Sequence, residues 1–218
     1  MSQRKYLTQS EVKRILSAAK EQKENAERDY CLIYMSFIHG FRVSEVCHLR
    51  VSDMDLEEGN LFIRRMKNGF STSHPLLTSE IRAIHAWLNV RSMFPGAESD
   101  WLFLSRKGQP LTRQRIYQLI STLGERASLP VISHPHMLRH ACGFALANRG
   151  VDTRLIQDYL GHRNIRHTVR YTASNSQRFE GIWHTEVRKK SRQLGPNCQA
   201  QFSFIPEHCI PRQKPRSH

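Results

Sequence analysis

A chain of 218 residues with 33 Lys and Arg against 19 Asp and Glu carries a formal charge of +14. That surplus favours a polyanionic partner, because basic side chains that neutralise phosphates release condensed counterions, although basic tails or a ribosome- or membrane-surface role would share it. The polar start MSQRKYLTQSEVKR does not resemble a secretory leader, and no apolar run approaches the ~18 residues of a membrane span.

In chain order, Thr8 and Glu11 have the spacing of a capping box, and Val12, Ile15, Leu16 and Ala19 form a helical apolar stripe behind it. A more apolar helix is predicted from about Ala26 to His39, stopping near Gly40. A third begins around Arg42 and turns Val43, Val46 and Leu49 inward. The stretch from Asn60 to Lys67, then Asn68-Gly69, then FSTSHPLL, predicts a β-hairpin, since both turn residues tolerate positive φ. Thr78 opens a helix with Ile81, Ile84 and Leu88 on one face, and the segment Trp101–Ser105 (WLFLS) is expected to pair with the hairpin. Helices follow at about Thr112–Ala127, Pro135–Arg149, Asp152–Leu160 and Ser174–Arg192, with a charged flexible loop from Arg163 to Arg170. The class is therefore α+β, mostly α-helical with one small antiparallel sheet.

After Gly195 the character changes: the last segment has four prolines, a basic end and little periodicity. Residues 1–185 read as one catalytic domain and 186–218 as a basic, flexible tail. The five cysteines are odd in number and form no CxxC pair, which argues against a disulfide framework and places the chain in a reducing cytoplasm.

Four separated pieces carry candidate chemistry: Gly40-Phe-Arg42-Val-Ser-Glu45, Lys67 at the hairpin tip, His134-Pro-His136-Met-Leu-Arg139-His140, and Leu160-Gly-His162 followed nine residues later by Tyr171. The ordered set Arg, Lys, His-x-x-Arg, His, Tyr resembles the tyrosine recombinase (phage integrase) family. Stretches such as LIQDYLGHRNIRHTVRYTASN, HPHMLRHACG and RRMKNGFSTSHPL are similar to the FimB/FimE-type fimbrial switch recombinases, over about residues 3–184. The resemblance implies a site-specific recombinase that breaks and rejoins DNA through a 3′-phosphotyrosyl link, and inverts a promoter segment between inverted repeats.

Each residue type suits that chemistry. Attack on a phosphodiester develops charge on the non-bridging oxygens, and Arg42 and Arg139 offer planar donor forks that stay charged. His136 and His162 can add hydrogen bonds and move protons. Tyr171 is the nucleophile, and by resemblance Lys67 protonates the leaving 5′-oxygen. Glu45, three residues after Arg42 on the same helical face, can orient that arginine, and His140 supports the site. Two arginines and a lysine already supply positive charge, so neither metal nor other cofactor is required. His136 and His140 have the i, i+4 spacing of a zinc pair, but the segment lacks the Glu of HExxH and a third ligand.

Taken singly, these signals are weak. An arginine at a helix start is usually a solvated charge, and a histidine is often a satisfied core residue. Tyr159 (beside Leu155, Ile156 and Leu160) and Tyr117 (among Ile116, Leu119 and Ile120) read as core, whereas Tyr171 follows the charged loop Arg163–Arg170, which suits a residue that must reach DNA. Arg106, Lys107, Arg113 and Arg115, with Arg126, cluster around one helix and its preceding loop. They are candidates for DNA contact or simply a solvated face.

With the first helix predicted near Thr8, the family's usual additional N-terminal DNA-binding domain is not expected here. The resemblance therefore implies architectural DNA-bending partners or cooperative binding, with four protomers in the synapse and the segment after Tyr171, bearing Phe179, Ile182 and Trp183, docking on a neighbour. A phage- or transposon-type integrase, or a DNA-binding regulator that does not cut, are the alternatives.

Overall fold

The computed structural model describes residues 4–65 and 71–173. Lys67, the Asn68-Gly69 turn, the helix expected after Ser174 and the 186–218 tail, with its boundary at 185, lie outside the described residues.

Helix α1 (Gln9–Lys20) starts where the capping box predicts it. Thr8 Oγ1 accepts from the Glu11 N–H at 3.3 Å, and Glu11 Oε2 accepts from the Thr8 N–H at 2.8 Å, so two of the orphan donors of the first turn are satisfied reciprocally. Its stripe of Val12, Ile15 and Ala19 is buried against α2 (Ala26–Ile38), whose Cys31, Leu32, Ile33 and Met35 are fully enclosed. Helix α3 (Val43–Cys47) is a single short turn with Arg42 as its N-cap residue.

The sheet has three antiparallel strands in the order β1 (Met54–Asp55), β2 (Asn60–Ile63), β3 (Thr72–Pro75). Leu61 faces His74 and Ile63 faces Thr72 across the β2–β3 ladder. Period-2 alternation sends Leu61 and Ile63 into the core and leaves Asn60 and Phe62 outside. Trp101–Ser105 does not join this hairpin, contrary to expectation. It forms isolated bridges from Trp101 to Arg50 and from Leu104 to Pro110. Side chains take two of its carbonyls, with Trp87 Nε1 donating to Leu102 O at 2.9 Å and Arg91 Nη2 to Trp101 O at 2.6 Å. Its other backbone bonds go to Leu49 and to Gln109 and Leu111, away from the hairpin.

The remaining helices are α4 (Thr78–Arg91), α5 (Arg113–Arg126), α6 (Pro135–Asn148), α7 (Thr153–Leu160) and α8 (Arg166–Ala173). Helix α6 runs between two apolar clusters. Met137, Leu138, Ala141 and Ala145 belong to the main core with Ile15, Leu32, Trp87 and Ile120. Cys142 and Ala147 belong to a smaller cluster with Ile156, Leu160 and Tyr171. Its first turn carries Pro135, whose missing N–H costs nothing at that position. Among the described residues no helix is long and apolar enough to cross a membrane.

Two core expectations are corrected. Tyr117 is exposed, stacked on the ring of His134 at 6.1 Å between centroids, because the buried face of α5 is carried by Ile116, Leu119, Ile120 and Leu123. Leu155 is likewise exposed, while Ile156 and Leu160 are enclosed. Tyr159 does pack inward: its ring lies 4.0 Å from that of His74, and its hydroxyl donates to Ile38 O at 3.0 Å.

Candidate active site

Three guanidinia converge on the C-terminal end of α7. Arg65 Nη2 donates to Tyr159 O, Arg139 Nη2 to Leu160 O at 2.6 Å, and Arg42 Nη2 to Gly161 O at 3.0 Å. Three consecutive carbonyls thus each hold one arginine. The last carbonyls of a helix lack intrahelical partners and carry the negative end of its dipole, so this terminus is a natural collector of cations. Gly161 closes the helix at φ +63°, and a Cβ there would sit 3.0–3.2 Å from Nε, Cδ and Cγ of Arg65. Glycine therefore serves both the left-handed backbone and the close approach of the arginine stem.

Glu45 gathers two of these cations. Its Oε1 accepts from Arg42 Nη1 at 2.7 Å, and its Oε2 from Arg65 Nη1 at 2.9 Å and from the Arg42 N–H at 2.8 Å. The sequence pairing of Arg42 with Glu45 is thus a direct contact. Arg65 is a residue that the sequence analysis missed. Its signal is periodicity: Leu61, Ile63 and Arg65 share one face of the strand and its continuation, so the arginine is directed inward, while Arg64 turns out to Asp53 at 2.7 Å.

Arg139 is buried, with Nη1 also donating to Gly40 O. Burial, and then the neighbouring charge of Arg42, push its pKa down to about 9. Arg42 differs, retaining 27% side-chain exposure against 1% for Glu45, so it is the part of this cluster open to a ligand.

The histidines surround this corner. His162 follows Gly161 directly, and its Nδ1 lies 2.9 Å from Thr168 Oγ1 on α8. Burial, then Arg139 and Arg42, hold its pKa down at about 3, so the ring is neutral near pH 7. His136, one turn before His140 on α6, is exposed with its inner edge against that ring, 4.4 Å between centroids. Partial desolvation of that edge and the charge of Arg139 lower its pKa to about 4.

Tyr171 departs from the sequence reading in two respects, the segment before it and its own burial. The segment from Arg163 to Arg170 is not all loop: α8 begins at Arg166, with the Asn164 side chain accepting from the Arg166 N–H at 2.9 Å as a capping asparagine does. Tyr171 lies on the inner face of that helix and is fully buried. Its ring packs edge-on to Phe144 at 5.2 Å, its hydroxyl is 2.9 Å from His140 Nδ1, and the His162 ring lies parallel at 6.2 Å. The seat exists because residue 143 is glycine. A Cβ there would come within 2.6–2.8 Å of three ring carbons of Tyr171. Burial raises the phenol's pKa, against the lowering effect of Arg170 and Arg139. Burial first, then His136 and Arg170, push His140 down to about 3, so its ring is the neutral partner of a neutral phenol.

Arg42, Glu45, His136, Arg139, His140, His162 and Tyr171 are therefore brought to one region formed by α3, α6, α7 and α8. Lys67 lies outside the described residues, although the β2–β3 hairpin that leads to it is present. The other basic group is separate. Arg113, Arg115 and Lys107 are exposed at the start of α5 and in the loop before it, and Arg106 there pairs with Glu24 at 2.5 Å. No cluster of three potential metal ligands occurs among the described residues.

Residues 5–178 match the model of the phage integrase family. The chain is 61% identical to the type 1 fimbriae regulatory protein FimB of Escherichia coli K12, covering 83% of this chain and 90% of that protein. It is 54% identical to the type 1 fimbriae regulatory protein FimE of the same strain, covering 84% and 92%. The crystal structure of XerA recombinase aligns with a TM-score of 0.71 at 28% identity, over 89% of this chain and 68% of its own. XerH site-specific recombinase, in a post-cleavage complex with palindromic difH substrate, aligns at 0.69 and 27% identity, over 82% and 53%.

Proposed function

Because the chain belongs to the phage integrase family, as a tyrosine recombinase of the FimB/FimE type, we propose that Tyr171 is the nucleophile of a DNA strand exchange carried out around the three-arginine corner. The observation that carries the reading is the placement of Arg139 and Arg42 on the successive carbonyls of Leu160 and Gly161, immediately before His162 and within the same short segment that ends at Tyr171.

The scissile phosphate enters beside Arg42, where N–H groups not engaged with Glu45 and Gly161 O can meet its non-bridging oxygens. Arg139 adds charge from beneath; burial, and then the charge of Arg42, lower its pKa, and a bound phosphate would favour its charged form. His136 and His162, neutral near pH 7, each donate an imidazole N–H to the same oxygens. The Tyr171 oxygen attacks phosphorus, the bond to the 5′-oxygen breaks, and a 3′-phosphotyrosyl link conserves the ester bond. The phenol proton leaves through a neighbouring base, with His140 the ring already in contact. Lys67 is the candidate to protonate the departing 5′-oxygen, a role that rests on its place in the ordered sequence pattern. Rejoining runs the same steps in reverse, with the 5′-hydroxyl of another strand as nucleophile.

The substrate we propose is double-stranded DNA carrying inverted repeats around a promoter for a surface structure, by analogy with the fimbrial regulators. Four protomers assemble the synapse, with DNA-bending proteins assisting, and the reaction belongs to the cytoplasm and its nucleoid. The exposed Arg113, Arg115 and Lys107 supply backbone contacts outside the reacting corner, with Arg106 beside them.

A suicide substrate nicked near the scissile bond tests the core of this reading. Wild type should be trapped as a covalent protein–DNA adduct, and Tyr171→Phe should give none while still shifting the DNA in a gel. An adduct that persists in Tyr171→Phe, or none from wild type at a cognate repeat, would refute it. A supercoiled plasmid with two inverted repeats then separates inversion from integration.

A further inference from the structure

We propose that Arg65 is a positioning residue for the phosphate-binding arginine Arg42, acting through the Glu45 carboxylate that both guanidinia share. The inference rests on the functional reading above and adds to it a residue outside the recognised set.

Arg42 reaches solvent, while the side chains of Glu45 and Arg65 beneath it are 1% and 0% exposed. The orientation of Arg42 is therefore fixed from below. Glu45 divides its oxygens: Oε1 takes Arg42 Nη1, and Oε2 takes Arg65 Nη1 together with the Arg42 backbone N–H. This division keeps the carboxylate from closing on the Arg42 guanidinium as a two-toothed pair, the arrangement that an arginine and a carboxylate otherwise favour. A chelated Arg42 would spend a second N–H on Glu45 and turn part of its fork away from the ligand. The carboxylate torsion of a glutamate is broad, so the two donors at Oε2, the Arg42 N–H and the charged Arg65 Nη1, together hold it in the bridging pose.

Charge leads to the same conclusion. Arg42 paired with Glu45 alone would be neutral in sum, whereas two guanidinia on one carboxylate leave a net positive charge facing the phosphate. Arg65 is itself fixed independently of Arg42, by its bond to Tyr159 O and by the seat of its stem on Gly161. Its Nε is buried without a hydrogen-bond partner among the described residues, so its place is set by the two outer nitrogens.

The test compares two oligonucleotides: one with an ordinary scissile phosphodiester, and one with a neutral methylphosphonate at that position. A methylphosphonate has lost one non-bridging charge, so it depends less on a correctly aimed guanidinium. Arg65→Met, which keeps the buried stem, should slow adduct formation on the phosphodiester by about 10–100-fold, the usual effect of removing a residue that orients a ligand-contacting group. On the methylphosphonate the variant-to-wild-type ratio should be close to unity. Arg42→Ala should show the same selectivity. Arg65→Lys retains the charge without the fork, and should recover part of the loss if Arg65→Met folds poorly by thermal melting. An equal loss on both substrates from a folded variant, or no loss on the phosphodiester, overturns the proposal while leaving the assignment of Tyr171 intact. Absence of any wild-type adduct overturns both.

Discussion

The seat of Tyr171 can be tested without DNA by placing a methyl group at position 143. In Gly143→Ala the new Cβ would lie 2.6–2.8 Å from Cε2, Cζ and Cδ2 of the tyrosine, where carbon atoms prefer about 3.5–4.0 Å. The ring must retreat by about 1 Å, yet Phe144 lies edge-on to it and His140 holds its hydroxyl. Overpacking of this kind costs about 1–3 kcal/mol. Against it stands a helix-propensity gain of about 0.5–1 kcal/mol for alanine over glycine. Gly143→Ala should therefore range from nearly neutral to destabilising by about 2 kcal/mol in urea unfolding. In a Tyr171→Ala background the clash disappears and only the propensity gain remains, so the same substitution should stabilise. The double-mutant cycle then shows a coupling of about 1–3 kcal/mol. If Gly143→Ala has the same effect in both backgrounds, within about 0.5 kcal/mol, the two residues do not share a seat and the described packing of α6 against α8 is wrong.

Glu45→Gln removes the carboxylate shared by two buried or half-buried guanidinia. It should cost about 3–5 kcal/mol in denaturant unfolding, as expected for breaking a buried charge network, and a loss below about 1 kcal/mol would contradict the geometry. Stability should also fall on acidification. Burial lowers the folded-state pKa of His74 and of His140 from 6.5 to about 3, so between those values the unfolded chain binds more protons. The stabilising effect is complete above pH 6.5, is lost as pH falls towards 3, and each histidine contributes a slope of up to about 1.4 kcal/mol per pH unit. His140→Asn should lower the proton uptake on unfolding by nearly one near pH 5, and an unchanged pH slope would remove His140 from the account. Arg42→Ala and Arg139→Ala should each reduce cleavage by about 10²–10³-fold, as expected for donors that meet developing charge, with gel-shift affinity largely kept. Equal losses in affinity and cleavage would show that they serve binding alone.

Much of this fold can be read from local pattern. The Thr8–Glu11 capping box, the stripe of α1 and the alternation of Leu61 and Ile63 each depend on neighbours within a few residues, and each appears in the structure. What could not be read depends on partners distant in the chain. Trp101–Ser105 has strand-like composition, but Trp87 and Arg91 on α4 take the carbonyls of Trp101 and Leu102, and its backbone pairs through isolated bridges to Arg50 and Pro110, not to the hairpin. Tyr117 sits among apolar neighbours in sequence, yet helical periodicity turns it outward while Ile116 and Ile120 turn in. The run Arg163–Arg170 is too charged to resemble a buried helix, and α8 hides only Thr168, Tyr171 and Thr172. The composition of the site was legible because its residue types are dictated by phosphate chemistry. Of the residues beneath it, Glu45 was legible from its spacing to Arg42, but Arg65 and Gly143 were not, since they acquire their roles only when α7 and α8 fold over them.

On the proposed mechanism, the two halves of the site impose opposite demands on Tyr171. Its seat is apolar and raises the phenol's pKa, which favours a protonated and inert nucleophile. The arginine corner sets three guanidinia, Arg42, Arg65 and Arg139, against the single carboxylate of Glu45, and favours any negative charge brought to it. A phenolate is therefore costly in the seat and stabilised beside the guanidinia. A phosphate bound there brings the electrophile, but it also neutralises part of the field that would draw out the phenol's proton. Attack is then best served if leaving the seat and meeting the phosphate happen together. Both depend on one piece of chain, since the carbonyls of Tyr159, Leu160 and Gly161 hold the arginines and α8, a few residues on, holds the tyrosine. A shift of α8 relative to α7 would move the nucleophile without disturbing the arginines, whereas a shift of α7 itself would move both. The first is the cheaper route, because α7 is tied to three buried or half-buried guanidinia and α8 meets the core through one small face.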